Sequence, residues 1–180
     1  MLSLQQFSDR AATVAIKRIS KNSSPLFDSE VRAHESVKKL NSGHFVQLLA
    51  AFTKGSEHCL MFEWADGGTL SEFWQTEVPP TNLEHMRSLV RESLDQFQGL
   101  VDGLFKLHSL ENYRHGDVKP DNILRFKNGT QVGALKITDF RLSNKRHNLA
   151  TSMHNKPSRA DMRYMAPKAS RSSPSQLSDI

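Results

Sequence analysis

A chain of 180 residues with 37% hydrophobic content can bury a single core, so one domain is the expectation. The formal net charge of +5 favours acidic partners in a general way, but the Lys and Arg are scattered. Only Arg141 to Arg146 and the tail are dense in them, without interleaved aromatics, which argues against a dedicated nucleic-acid site. The single Cys59 excludes an internal disulfide and lies beside the apolar run Leu60-Met61-Phe62, as a core thiol in a reducing compartment would. Met1 to Arg10 lack an apolar signal region and no later run approaches a membrane span, so the expected setting is intracellular, cytoplasmic or nuclear, with no membrane partner.

In chain order, residues 11–19 are rich in β-branched side chains and predict a strand that carries Lys17. Ser23-Ser24-Pro25 breaks the pattern, and Asp28 to Leu40 then predicts a helix with Val31, Val37 and Leu40 as apolar positions and Glu30 and Glu35 among its charges. Phe45 to Phe52 and His58 to Trp64 predict a hairpin around Lys54-Gly55-Ser56-Glu57, followed by a flexible Gly67-Gly68 pair. Thr69 to Trp74 opens a short helix that Pro79-Pro80 ends from beyond. Thr81-Asn82-Leu83-Glu84 has capping-box form. Behind it Met86, Leu89, Val90, Leu94, Phe97, Leu100, Val101, Leu104 and Phe105 recur at steps of three and four, which predicts a long helix whose apolar stripe is core, with His108 packed or capping near its end.

The chemistry concentrates in Tyr113-Arg114-His115-Gly116-Asp117-Val118-Lys119-Pro120-Asp121-Asn122-Ile123-Leu124. Asp117 is suited to accept a proton from a hydroxyl nucleophile, Lys119 to neutralise a transferring phosphoryl group, and Asn122 to offer a neutral oxygen to a hard cation such as Mg²⁺, with Pro120 fixing the path between them. Ile123 to Phe126 and Leu135 to Ile137 predict two short strands joined by a turn at Lys127-Asn128-Gly129, and Thr138-Asp139-Phe140-Arg141 follows at once. Leu142 to Met165 is polar and aperiodic, and residues 169–180 form a Ser-rich tail expected to be disordered. There is no internal repeat, no Cys/His spacing suited to zinc and no hydrolase nucleophile elbow.

The order His-x-Asp-x-Lys-Pro-x-Asn at residues 115–122 resembles the catalytic loop of eukaryotic protein kinases, and the Lys two places after the Asp resembles the serine/threonine branch. The resemblance extends over roughly residues 12–168. Val14-Ala15-Ile16-Lys17 looks like the strand whose Lys contacts the nucleotide phosphates, with Ala15 leaving room for adenine. Leu60 to Gly68 looks like the strand that runs into the interlobe hinge, with Phe62 as gatekeeper and backbone groups of Glu63 and Ala65 on the adenine edge. Leu124 fits the residue that closes the adenine pocket from below, and Asp139 the metal-binding Asp of the Asp-Phe-Gly motif.

By resemblance the fold is α+β and bilobal, kinase-like, with a small antiparallel-sheet lobe over about residues 1–65 and an incomplete helical large lobe over 66–168. The cofactors implied are ATP and Mg²⁺, and the partner is a protein substrate phosphorylated on Ser or Thr. Asp117, Lys119 and Asn122 are the catalytic candidates, Asn122 and Asp139 the metal ligands, and Lys17, Ala15, Phe62, Glu63, Ala65 and Leu124 the nucleotide contacts.

Departures from the family pattern leave a second function open. The family's helix Glu counts to Ala33; Glu30 lies one turn earlier on the same face and Glu35 two residues later. The first glycine of the chain is Gly43, so no glycine-rich loop precedes Lys17. Gly116 occupies the place of an activation-loop Arg partner, Arg141 replaces the motif glycine, and Lys168 reverses the charge of the Ala-Pro-Glu ending. These point instead to a catalytically impaired pseudokinase-like binding module or a gene fragment.

Overall fold

The computed structural model describes residues 2–4, 13–110, 113–139 and 164. The expectations for Arg141, for residues 142–165 other than Tyr164, for Lys168 and for the tail lie outside the described residues.

The β-branched run becomes β2 (Val14–Ser20), which pairs antiparallel with β1 (Leu2–Leu4) on one side and with β4 (Glu57–Glu63) on the other. β3 (Leu48–Lys54) closes the sheet as an edge strand, giving the order β1-β2-β4-β3, and its turn to β4 runs through Gly55 at φ +59°. Phe45 and Val46, expected to open β3, lie outside it. Their backbone pairs with the large lobe instead: Val46 N–H donates to Ile137 O at 2.9 Å, and Ile137 N–H donates to His44 O at 2.8 Å.

Helix α1 runs over Ser24–Lys38, four residues earlier than Asp28, because Pro25 does not break the chain. A proline in the first helical turn loses no hydrogen bond, since that N–H has no intrahelical partner, and its fixed φ suits the helix. The reciprocal capping box belongs to α2 (Leu70–Thr76), where the Thr69 hydroxyl accepts from Glu72 N–H at 3.1 Å and Glu72 Oε2 accepts from Thr69 N–H at 2.8 Å. At α3 (Leu83–Ser109) the side chain of Asn82 alone caps the first turn, through Glu84 N–H and His85 N–H.

The 27 residues of α3 correct the expectation of one core-facing stripe. Leu100, Gly103, Leu104 and Leu107 are buried, whereas Met86, Val90, Leu94, Phe97, Val101 and Phe105 are exposed, Leu94 at 64% and Phe105 at 76%. The helix is apolar on two faces. Only one of them meets other described elements, where Gln96 Oε1 accepts from Leu135 N–H at 2.9 Å and Gly103 faces Phe45.

Helices α1, α2 and α3 share one core with the hairpin β5 (Ile123–Phe126) and β6 (Ala134–Ile137), built on Val37, Phe45, Leu70, Leu107, Leu135 and Ile137. A second cluster, Val46, Leu60 and Phe62, packs between the sheet and α1, with Ala15, Ile19, Val31 and Leu124 against it. Cys59 is buried on β4. The layout is a small antiparallel sheet with one helix, joined by residues 64–69 to a helical part bearing a two-stranded hairpin.

Candidate active site

Lys17 points from the central strand β2 toward α1 and the end of β6. Its Nζ contacts Glu30 Oε1 and lies 3.4 Å from Asp139 Oδ1. The helix partner is therefore Glu30, which is buried on α1, while Glu35 is exposed on the same helix. A helix that starts at Ser24 turns Glu30 inward, and Ala33 fills the core one turn on.

Asp139 adopts φ +67°, a left-handed conformation that Asp tolerates better than most side chains. Such strain, of order 1 kcal/mol or more, persists where surrounding contacts impose it and is concentrated at functional positions.

The loop beneath is cross-braced. His115 is fully buried, with Nε2 2.8 Å from Thr138 O and Nδ1 3.3 Å from Asp117 N. A carbonyl only accepts and an amide N–H only donates, so both bonds require the neutral tautomer with the proton on Nε2. Asn122 Nδ2 donates to Asp117 O and to Asp117 Oδ2, both at 2.8 Å, and Lys119 Nζ lies 3.2 Å from the same Oδ2. The turn Pro120–Asn122 is fixed by Asn122 N–H donating to Lys119 O at 2.9 Å, and Thr138 N–H donates to Asn122 O at 3.0 Å. Thr138 thus links the loop to Asp139 in both directions, through its carbonyl to His115 and its N–H to Asn122.

Ala15, Phe62 and Leu124 meet in the second cluster: Ala15 faces Phe62 across the β2–β4 ladder, and Leu124 approaches from β5. Glu63 ends β4, and Ala65 O accepts from Gly68 N–H at 3.3 Å in the turn that leaves the sheet. The nucleotide and phosphate candidates thus fall into an apolar group, Ala15, Phe62 and Leu124, and a polar group, the charged Lys17, Asp117, Lys119 and Asp139 with the neutral Asn122.

The donor set fits a hard divalent cation. Both amide protons of Asn122 point to Asp117, which turns its Oδ1 away from Asp117 as a neutral oxygen donor, and Asp139 supplies a carboxylate.

Two features of the site escaped the sequence reading. His34, one turn beyond Glu30, is buried with its ring centroid 5.0 Å from Phe62. Its pKa is lowered to about 4, first by burial and then by the charge of Lys17, against the opposing effects of Asp139 and a hydrogen bond to the Val46 backbone. The signal was available, since a histidine four residues after the inward Glu shares its face. The second is Lys136, whose Nζ reaches both oxygens of Glu63, at 2.7 and 2.8 Å; strand alternation says nothing of such a partner.

No helix among the described residues is long and apolar enough to cross a membrane. Comparison with known sequences matches a model of the protein kinase domain over residues 5–179. Among similar proteins are a probable receptor-like protein kinase of Arabidopsis thaliana, 30% identical over 86% of this chain and 42% of that one. The receptor-like protein kinase ANXUR2 of the same plant is 30% identical over 75% of this chain and 15% of its own. The serine/threonine-protein kinase dst2 of Dictyostelium discoideum is 28% identical over 72% of this chain and 10% of its own. The chain thus spans less than half the length of each of these relatives. With an antiparallel-sheet lobe, a Lys17–Glu30 pair and a braced Asp117–Asn122 loop in place, the chain belongs to the protein kinase domain family, with its α+β fold.

Proposed function

We propose that this domain transfers the γ-phosphoryl group of ATP to Ser or Thr hydroxyls of a protein substrate. The observation that carries the reading is the convergence of Lys17, from the sheet, with Asp139, beside a loop in which one carboxylate oxygen of Asp117 contacts both Lys119 and Asn122. Three cationic or amide groups and two carboxylates, in two clusters joined through Thr138, suit charge that is spread over a phosphoryl group in transit.

In this reading Asp117 accepts the hydroxyl proton as the substrate oxygen bonds to phosphorus and ADP departs. Asn122 holds the Asp117 carboxylate in one orientation, and Lys119 offsets negative charge at the reacting centre. Lys17 anchors the nucleotide phosphates and is itself aimed by Glu30. Ala15, Phe62 and Leu124 sandwich the adenine, and the backbone of Glu63 and Ala65 takes its polar edge. Asn122 and Asp139 would hold Mg²⁺, which when bound neutralises phosphate charge. The buried Cys59 thiol suits a reducing, intracellular setting, where ATP is also available.

The test is phosphate incorporation from labelled ATP into a generic Ser/Thr protein acceptor, with and without Mg²⁺. Asp117→Asn is expected to lower the rate roughly 10²- to 10⁴-fold while nucleotide affinity stays within a few-fold. Equal incorporation by the variant would remove Asp117 as the base. Nucleotide binding by the wild-type chain without turnover would instead identify a pseudokinase-like binding module.

A further inference from the structure

We propose that Lys136 and Glu63 form a positioning clamp that fixes the hinge to the strand leading into Asp139, and so sets how the metal-bound nucleotide is held. This inference rests on the kinase reading above.

Three consecutive residues of β6 are each tied to a segment of, or leading into, the small lobe. The Leu135 carbonyl is 2.9 Å from His44 Nδ1. Lys136 Nζ donates to both carboxylate oxygens of Glu63, and Ile137 exchanges backbone bonds with His44 and Val46. Glu63 Oε1 also accepts from Gln47 N–H at 3.1 Å, so one carboxylate joins β4, the loop ahead of β3 and β6. Lys136 is held from its other side by the face of Phe126, 4.4 Å from the ring centroid. With side-chain exposures of 18% for Lys136 and 26% for Glu63, the pair is partly shielded, and its two-oxygen geometry with a third donor separates it from the isolated surface pairs that contribute little.

The far side of the hinge is anchored to the same hairpin. Asp66 Oδ1 accepts from Lys127 N–H at 2.8 Å, Gly67 N–H donates to Arg125 O at 3.0 Å, and Arg125 N–H donates to Gly68 O at 2.9 Å. Gly67 has to be glycine for that approach, since a β-carbon there would lie 2.8 Å from Arg125 O. Trp64 and Ala65 are left as the span between the two anchorages. Any rotation of the lobes about them must stretch the Lys136–Glu63 bonds or carry β6 along, and Asp139 sits two residues beyond the end of β6. The clamp therefore acts on Asp139 through strand geometry, by side chains that turn to each other while only the Glu63 backbone is given to adenine.

The experiment measures ATP affinity by calorimetry, with Mg²⁺ and with EDTA, for wild type, Lys136→Met, Glu63→Gln, the double variant, and the swapped pair Glu63→Lys with Lys136→Glu. Each single change is expected to weaken binding about fivefold in Mg²⁺ and distinctly less in EDTA. The double variant should be no worse than either single, with the swap recovering part of the loss. Equal losses with and without Mg²⁺, or losses that simply add in the double variant, overturn the clamp. Amide hydrogen exchange is followed in the same proteins without nucleotide, where the clamp predicts faster exchange at Gln47 and at Ile137 to Asp139 in Lys136→Met. Should wild type bind no ATP at all, the kinase reading fails, and the exchange data decide the clamp by themselves: unchanged protection at those amides overturns it.

Discussion

Lys17 and Asp139, 122 positions apart in sequence, lie 3.4 Å from each other, and Glu30 contacts the same ammonium group. A single cation thereby joins the sheet, helix α1 and the end of β6, and its environment is unequal: Glu30 is 2% exposed, the Asp139 side chain 21%.

That inequality makes the consequences of removing the cation separable. Lys17→Met takes the ammonium from a buried carboxylate, which should cost roughly 2 to 4 kcal/mol of stability as well as weaken ATP binding. Adding Glu30→Gln should recover most of the stability without recovering the nucleotide, because the amide no longer carries a buried charge but offers no phosphate contact. Urea unfolding with parallel ATP titrations measures both. Stability that stays low in the double variant would show that packing, and not charge burial, sets the loss.

The lowered pKa of His34 carries a pH dependence with a definite sign. In the unfolded chain the imidazole titrates at its ordinary 6.5, and in the folded one at about 4. Between those values the unfolded state binds more protons, so stability rises with pH. It is complete above about pH 6.5 and is lost as pH falls toward 4, by about 3 kcal/mol over the full window. His34→Leu keeps an apolar side chain against Phe62 and has no proton to bind. The melting temperature of wild type should therefore fall more steeply from pH 7 to pH 4.5 than that of His34→Leu. Parallel curves for the two proteins would remove His34 as the source.

The two faces of α3 should respond oppositely to substitution. Leu94 is 64% exposed, and Leu94→Gln should change stability by no more than about 0.5 kcal/mol. Leu107 is fully buried against the hairpin core, and Leu107→Ala should cost about 3 kcal/mol through lost burial and the cavity left behind. Chemical unfolding of both variants checks the contrast. A cost at Leu94 close to that at Leu107 would mean that the outer stripe of the helix is covered in solution.

What the sequence by itself determined was local. The β-branched run, the turn glycine at Gly55 and the three-and-four spacing of α3 predict their elements because strand alternation, positive φ and helical periodicity are properties of neighbouring residues. The order His115 to Asn122 is legible for the same reason, since one short turn brings Asp117, Lys119 and Asn122 within reach of each other whatever surrounds them. Periodicity misled where two explanations share a pattern. An apolar stripe reads the same whether something covers it or not, and Pro25 reads as a break although the first turn of a helix accepts it.

Only the tertiary structure decided which partners meet. Glu30 rather than Glu35 faces Lys17 because the register of α1 against the sheet turns that position inward. Phe45 and Val46 left the strand because β6 offered their backbone a better-placed ladder. The burial of His34 and the union of Glu63 with Lys136 depend on elements 28 and 73 residues apart. No local rule contains such distances, because a charge or a ring chooses its partner only after hydrophobic burial has brought the segments together.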